Sequence, residues 1–271
     1  MSRTRTLSQP ECPQQDRRFV MALARGLHVL QCFRPQDRWL PHRELVLRTG
    51  LPEATVSRLS FTLVQLGYLR HRPAAGEYAL SAAVLALGFS MSSTFDIARA
   101  ARPIMQDLAD RAQAAVSLGT RHHLSMIYVA HCRSTAHLTL GLDVGTRIPI
   151  ATTAMGRAVL CSAPDPDRER LSRELQAVDP QRWPAVQEGL AASAALYLER
   201  GFVDSISAWE ADIAAIGVPV DIGAGKEFFA LTIGGPASRL RGAFLYDELG
   251  PALVNAARGI AKAVHSASWH A

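Results

Sequence analysis

Aromatic side chains make up only 7% of the 271 residues, few for a sandwich-type β core and in keeping with a helical or α/β one. The four cysteines, Cys12, Cys32, Cys132 and Cys161, are scattered and form no CxxC pair. That spacing reads as reduced thiols in a cytosolic protein rather than a disulfide framework. No stretch approaches the roughly 18 uninterrupted apolar residues of a membrane-spanning helix. Residues 1–18 lack the apolar centre of a secretory leader, so the expected location is the cytoplasm. No period of about 20–50 residues repeats, and no tract is of low complexity. What the chain does have is apolar material, 48% hydrophobic residues against 20% charged. That proportion supports a real core and excludes the disordered and fibrous classes. The length fits one large domain or two of ordinary size.

Positive charge is unevenly spread. Residues 1–80 hold 12 arginines, no lysine and 6 acidic residues, a net of +6. The remainder holds 17 basic and 18 acidic residues, a net of −1. The whole positive excess therefore sits in the first part, as expected when one module meets a polyanion and another does not. A solvated basic surface would carry the same charge, so the order of elements has to decide.

Residues 1–18 read as a disordered arm without apolar period. From Phe19 onward, Leu23, Leu27 and Leu30 recur at spacings of 4 and 3, one face of a helix ending near Arg34-Pro35. A second helix runs from about His42 to Arg48, with Leu45 facing inward. In Thr49-Gly50-Leu51-Pro52 the glycine permits a turn and the proline opens the next helix. That third helix reaches about Leu66, with Val56, Leu59, Leu63 and Leu66 as its apolar stripe, and Gly67 stops it. Residues 68–72 and 77–80 flank Pro73-Ala74-Ala75-Gly76 as a β-hairpin.

Helix, helix, glycine turn, helix and hairpin is the order of a winged helix-turn-helix. Its third helix sets one face on the core and the other in a major groove. Glu53, Thr55, Ser57 and Arg58 occupy that outer face. Arginine bonds guanine bidentately, and small hydroxyls reach bases or phosphates. On the hairpin, Arg70, His71 and Arg72 suit phosphate or minor-groove contact.

Residues 81–96 read as a linker helix whose exposed apolar positions make it a candidate dimer contact. Arg102-Pro103 marks a fresh helix start, because proline fits a first turn. Beyond residue 114, strands are expected at 115–120, 124–132, 137–142, 202–206, 213–221 and 227–233, with Gly223-Ala224-Gly225 as a turn. Helices are expected at 153–162, 186–200 and 248–266. Strands bracketed by helices at both ends define one α+β, sensor-like domain.

The segments in order resemble the IclR-type bacterial transcriptional regulators. They are Ala24-Arg25-Gly26-Leu27-His28-Val29-Leu30, Arg48-Thr49-Gly50-Leu51-Pro52, Thr55-Val56-Ser57-Arg58-Leu59 and Leu66-Gly67-Tyr68. Further along come Gly145-Thr146-Arg147-Ile148-Pro149, Thr153-Ala154-Met155-Gly156-Arg157-Ala158, Gly201-Phe202, Gly217-Val218-Pro219-Val220 and Gly234-Gly235-Pro236-Ala237-Ser238-Arg239-Leu240. The resemblance spans about residues 19–265. It implies an α+β chain with a winged helix-turn-helix at 19–80, a linker helix at 81–96 and a GAF-like effector-binding and oligomerisation domain at 97–271. Such proteins resemble dimers or tetramers on palindromic operators that repress or activate genes in response to small organic or aromatic acids. Arg25, in the first matched segment, joins the DNA-binding set.

The resemblance also implies an effector pocket between the start of the 153–162 helix and the last strands. Its candidate residues are Ala154, Met155, Ser205, Ala215, Thr232 and Gly234, with Trp209 adding apolar surface. Backbone N–H groups at a helix start suit a carboxylate. The chain departs from the family pattern here. It has Ala215 where the family often has cysteine, and Thr232 and Gly234 where serines are common. It also lacks the acidic pair after Gly201-Phe202. Fewer polar side chains, with Met155, Trp209 and Ile213 nearby, point to a larger or more aromatic acid than a two- or three-carbon one.

Other classes fit less well. Asp204, Ser205 and His265 offer the residue types of a hydrolytic triad, but no GxSxG elbow accompanies a serine. Gly223-Ala224-Gly225-Lys226 lacks the spacing of a phosphate-binding loop. His122, His123, His131, Cys132 and His137 are metal-binding types, yet no ligand spacing joins them and His122 and His123 point to opposite strand faces. A ligand-free architectural DNA-binding protein would leave the larger, near-neutral second part unexplained. The expectation is a regulator with operator DNA, a small effector and its own copies as partners, and with neither cofactor nor catalytic site.

Overall fold

The structure is a computed structural model that describes residues 16–34, 36–92, 96–134, 142–223 and 228–267. Most of the arm expected at 1–18, and Cys12 within it, lies outside these residues. So does the expected strand at 137–142, except Leu142, which belongs to no strand. Contacts divide the chain into two compact units, Met1–Ser93 and Thr94–Ala271.

In the first unit, α1 (Met21–Gln31), β1 (Leu40–Pro41), α2 (His42–Thr49), α3 (Glu53–Gln65), β2 (Leu69–Arg72), β3 (Glu77–Leu80) and α4 (Ala82–Ser92) follow in order. Gly50 ends α2 at φ 64°, its N–H bonded to the Val46 carbonyl. That left-handed residue is what lets the chain turn into α3. β2 and β3 form the antiparallel hairpin, and β1, two residues long, pairs with the other edge of β3. The core gathers Val29, Cys32, Leu45, Leu51, Val56 and Leu63.

Two expected core stripes are met in part: Val56 and Leu63 are buried with Leu59 and Leu30 packed against them, and the other members face outward. In α1 the buried residues are His28 and Val29, while Leu23 and Leu27 are 62% and 49% exposed. In α3 they are Val56, Ser60 and Leu63, while Leu66 is 63% exposed. The physical reason is a polar interior in which His28, Arg48 and Thr49 find partners within the unit, while the buried Ser60 hydroxyl has none among the described residues. The His28 Nε2–H donates to the Thr49 carbonyl at 3.2 Å, which sets the rotation of α1 and turns its leucines outward. Arg48 donates to Glu44 Oε1 at 2.8 Å, to the Cys32 carbonyl at 3.2 Å and to Asp37. Burial pushes the Cys32 thiol up to about 12, and Cys32, Cys132 and Cys161 are free thiols.

The second unit runs α5 (Asp96–Ala112), β4 (Ala115–His122), β5 (Ser125–Arg133), β6 (Arg147–Pro149), α6 (Ala154–Ser162), α7 (Asp165–Val178) and α8 (Trp183–Arg200). Then come β7 (Val203–Ile206), β8 (Ile213–Val220), β9 (Phe229–Pro236), a π-helical turn (Phe244–Leu249) and α9 (Gly250–Ala267). Pro103 does not open a helix as expected; it lies inside α5. The stripe of Ile97, Ala101, Met105, Leu108 and Ala112 is buried on both sides of it, and that packing offsets the missing N–H. Helix α7 was not foreseen, because charged residues dominate it and only Leu171 is buried.

Six antiparallel strands form one sheet in the order β6-β5-β4-β9-β8-β7. Strand alternation sorts its side chains. Val116, Leu118, Ile216, Leu231 and Ile233 face one core with Met105, Leu108, Leu253 and Ile260 of α5 and α9. Met126, Tyr128, Val203 and Ala230 face another with Met155, Ala158 and Val159 of α6. The start of α6 presses onto this second face because the strands are bare beneath it. A Cβ at Gly217 would stand 2.6 Å from the Ala154 carbonyl oxygen, and one at Gly119 2.4 Å from Met155 Sδ.

Candidate functional site

The eight residues expected at DNA occupy two places in the first unit. On α3, Glu53, Ser57 and Arg58 are exposed and Thr55 is half-buried. Arg25 of α1 joins Thr55 and Arg58 around an open recess of about 670 Å³. Its walls include Leu23, Leu27, Leu59, Leu66 and Leu87, so the outward leucines of α1, α3 and α4 converge there.

On the hairpin, Arg70, His71 and Arg72 are exposed. Alternation along β2 puts the two arginines on one side, where their guanidinium carbons lie 5.2 Å (Arg70) and 3.9 Å (Arg72) from the Trp39 ring centroid. Trp39 thus holds both cations in place before any anion arrives. Sequence reasoning missed it, since an isolated tryptophan before β1 has no partner in any periodic pattern. His71 stacks instead on Tyr78, with ring centroids 4.5 Å apart and planes at 16°. Arg72 also approaches Glu77 at 3.9 Å.

In the second unit, all seven expected effector residues (Ala154, Met155, Ser205, Trp209, Ala215, Thr232 and Gly234) line one cavity of about 30 Å³. As it stands it has room for roughly two waters. Ala115, Gly234, Ala215 and Ser205 sit in one row across β4, β9, β8 and β7, giving a floor almost free of side chains. Thr153 caps α6, accepting from the Gly156 N–H at 3.3 Å and donating to the Pro149 carbonyl at 2.6 Å. The first N–H groups of a helix have no intrahelical acceptor, so the Ala154 turn presents partial positive charge above that floor.

Two hydroxyls here are already committed as donors. Ser205 donates to the Thr152 carbonyl at 2.7 Å and Thr232 to the Ser117 carbonyl at 3.3 Å. Sequence reasoning missed Ser117, Tyr128 and Thr153 on the cavity wall, and it weighed His131, also on that wall, only as a metal-binding residue type without ligand spacing. Arg157 fixes α6 from behind, donating to the Asp204 carbonyl at 2.9 Å and to Ser193 Oγ at 3.3 Å.

The other candidate constellations are dispersed. His131 bonds Ser117, and the rings of His122 and His123 meet edge to face at 4.5 Å. His137 lies outside the described residues. Among the described residues, no group of three or more His, Cys, Asp or Glu side chains converges. Asp204 accepts from the Tyr246 hydroxyl at 2.6 Å, Ser205 bonds Thr152, and His265 bonds the Ala261 carbonyl on α9. The three therefore form no relay. No helix among the described residues is long and apolar enough to cross a membrane.

A winged helix-turn-helix unit and an α/β unit with a cavity under a helix start define a ligand-responsive transcriptional regulator. Residues 22–73 match the IclR helix-turn-helix domain, and residues 89–262 match the bacterial transcriptional regulator IclR C-terminal domain. The chain belongs to the IclR family. It is 33% identical to the HTH-type transcriptional regulator TsaQ1/TsaQ2 of Comamonas testosteroni, covering 87% of this chain and 85% of that one. The crystal structure of an IclR family regulator from Brucella abortus matches with a TM-score of 0.82 at 36% identity, over 94% of this chain and 97% of that one. An IclR homologue from Microbacterium hydrocarbonoxydans, solved with 4-hydroxybenzoate, shares the fold with a TM-score of 0.68 at 20% identity, over 90% of this chain and 99% of that one.

Proposed function

We propose that this regulator reads operator DNA through α3 and the β2–β3 hairpin and responds to a small organic acid, most suitably an aromatic one, held under α6. The observation that carries the reading is the cavity. A helix start offers N–H groups to a carboxylate, and the Ala115–Gly234–Ala215 row beneath leaves a flat apolar floor suited to a ring. The 4-hydroxybenzoate bound by the homologue of like fold supports this ligand class. Arg58, with Thr55 and Ser57, reads the major groove, Arg70 and Arg72 grip phosphate, and Arg25 supports them from α1. The protein acts in the cytoplasm as a regulator and not as an enzyme.

The chain works as a dimer, since helix-turn-helix proteins read two half-sites related by protein symmetry. The outward leucines on the α1 and α4 side of the recess, Leu23, Leu27 and Leu87, are the surface that a second copy covers, which leaves Thr55 and Arg58 on the α3 side to DNA. Sedimentation velocity checks this: Leu27→Glu converts the dimer to monomer without lowering the melting midpoint, and an unchanged mass excludes the recess as the interface.

The central test is anisotropy with the protein's own upstream DNA at several salt concentrations, random DNA competing. Specific binding at least about a thousandfold tighter than to random DNA is expected. Equal, steeply salt-dependent binding to both would favour an architectural protein, whose affinity comes from phosphate contacts.

A further inference from the structure

The β4–β5 end of the cavity holds a polar cluster that the α6 reading does not use. Ser117, Tyr128 and His131 are all buried and all line the cavity. Their meeting depends on a backbone irregularity. Tyr128 and His131 are three residues apart, a spacing that regular alternation sends to opposite faces. Pairing with β4 steps from Leu118–Ala130 to Gly119–Tyr128, which leaves Val129 as the extra residue of a β-bulge. The bulge returns both side chains to one face, their rings stacked with centroids 5.8 Å apart. Bulges beside ligand sites re-aim side chains in this way.

Hydrogen bonding sets what the cluster offers. Arg133 Nε only donates, and it reaches His131 Nε2 at 3.1 Å. The imidazole proton therefore sits on Nδ1, which donates to Ser117 Oγ at 2.9 Å. The Tyr128 ring lies on that imidazole, and its phenol lines the same cavity as the Ser117 hydroxyl. Arg133 has Asp143 at 3.6 Å to balance its charge. The cluster thus combines neutral donors and acceptors. A ligand hydroxyl, which both gives and takes a hydrogen bond, matches it. A second carboxylate would lose its hydration without meeting an unbalanced cation.

We propose that Ser117, Tyr128 and His131 form a hydroxyl-recognition end of the effector cavity, selecting a ring acid that carries a hydroxyl remote from its carboxylate. The inference rests on the reading that the carboxylate lies at the start of α6. That start sits over β8, where Gly217 meets Ala154, and Ser117 is two strands away on β4. Two strand spacings, about 10 Å between backbones, leave the length of one substituted ring once side chains are counted. Met155, unbranched and buried between the two ends, is the wall that yields to admit it.

Calorimetric titration of the full chain with 4-hydroxybenzoate, benzoate, 4-methylphenol and terephthalate tests this. The wild type should bind 4-hydroxybenzoate at least about tenfold more tightly than benzoate or terephthalate, because a site built for a hydroxyl rejects analogues lacking one. Tyr128→Phe and Ser117→Ala should each bring that ratio close to one, circular dichroism confirming the fold. Equal binding of 4-hydroxybenzoate and benzoate, no binding of any probe, or a ratio untouched by both variants would overturn the proposal. The carboxylate reading fails on its own signal: 4-methylphenol binding as tightly as 4-hydroxybenzoate removes the acid from the α6 end and sustains the hydroxyl end.

Discussion

The two units use apolar residues in opposite ways. In the second, strand alternation sends Val116, Leu118, Ile216 and Ile233 to one core and Met126, Tyr128 and Ala230 to another, and helices of the same chain cover both. In the first, the regularly spaced leucines Leu23 and Leu27 of α1 and Leu66 at the end of α3 stay exposed around a recess, while His28, Arg48 and Thr49 are buried and hydrogen-bonded. The difference teaches that apolar periodicity marks a face that something must cover, without saying whether the cover is in the same chain. It also teaches that the small unit relies on paired polar groups where the large one relies on volume.

The sharpest way to break that comparison is Arg48→Ala. Arg48 and Asp37 side chains are 9% and 10% exposed, and Glu44 completes the set. Removing one partner of a buried pair costs about 3–5 kcal/mol. Two-transition thermal unfolding should show the first unit melting earlier and the second unmoved. A first unit of unchanged stability would mean that its leucines hold it after all. The counterpart in the second unit is Gly217→Ala. Its Cβ would stand 2.6 Å from a backbone oxygen of α6, and overpacking of this kind costs about 1–3 kcal/mol. The second transition should fall and acid binding weaken, with operator affinity in the absence of acid kept. Full ligand affinity in this variant would show that the seating of α6 does not shape the cavity.

Much of this architecture was legible in the residues themselves. Gly50 and Pro52 announced the turn into α3, and the 153–162 segment announced α6. The cavity residues Ala215, Thr232 and Gly234 were named through the family resemblance, and the structure brings them to one cavity. The bulge at Val129 was not legible, since it arises from pairing two strands and changes which of Tyr128 and His131 face inward. Nor was Trp39, whose partners lie more than thirty residues on in the chain. The rotation of α1 depended on a hydrogen bond from His28 to another helix, and a helical wheel contains no such information.

Within the first unit, the two groups proposed to contact DNA should separate. Arg58→Ala should cost about 1–3 kcal/mol and relax specificity at one base position. A uniform loss on every DNA would make it a phosphate contact. Arg72→Ala should weaken binding evenly and lower the salt slope by about 1. Trp39→Ala keeps both charges and removes their platform, so affinity should fall by about 1 kcal/mol with the slope intact. A reduced slope for Trp39→Ala would mean that the arginines leave the interface altogether.

The smallest expected effect is a pH dependence seated in buried histidines of both units. Burial pushes His28 below its ordinary value, and the same holds for His131 and His122. A native state that resists protonation binds fewer protons than the unfolded chain, so stability rises with pH across the window between the two pKa values. The stabilisation is complete above the ordinary histidine range near about 6.5 and is lost as pH falls below it toward the depressed folded values. Melting between about pH 7.5 and 5.5, which brackets that value, should therefore show a lower midpoint at the acid end. His28→Gln keeps a donor for the Thr49 carbonyl and has nothing to titrate, so it should flatten the slope of the first transition only. His131 faces Arg133 and Tyr128, with Asp143 nearby, and its share should remain in the second. A first-unit slope as steep in His28→Gln as in the wild type would mean that the buried imidazole is not what the first unit protects from protons.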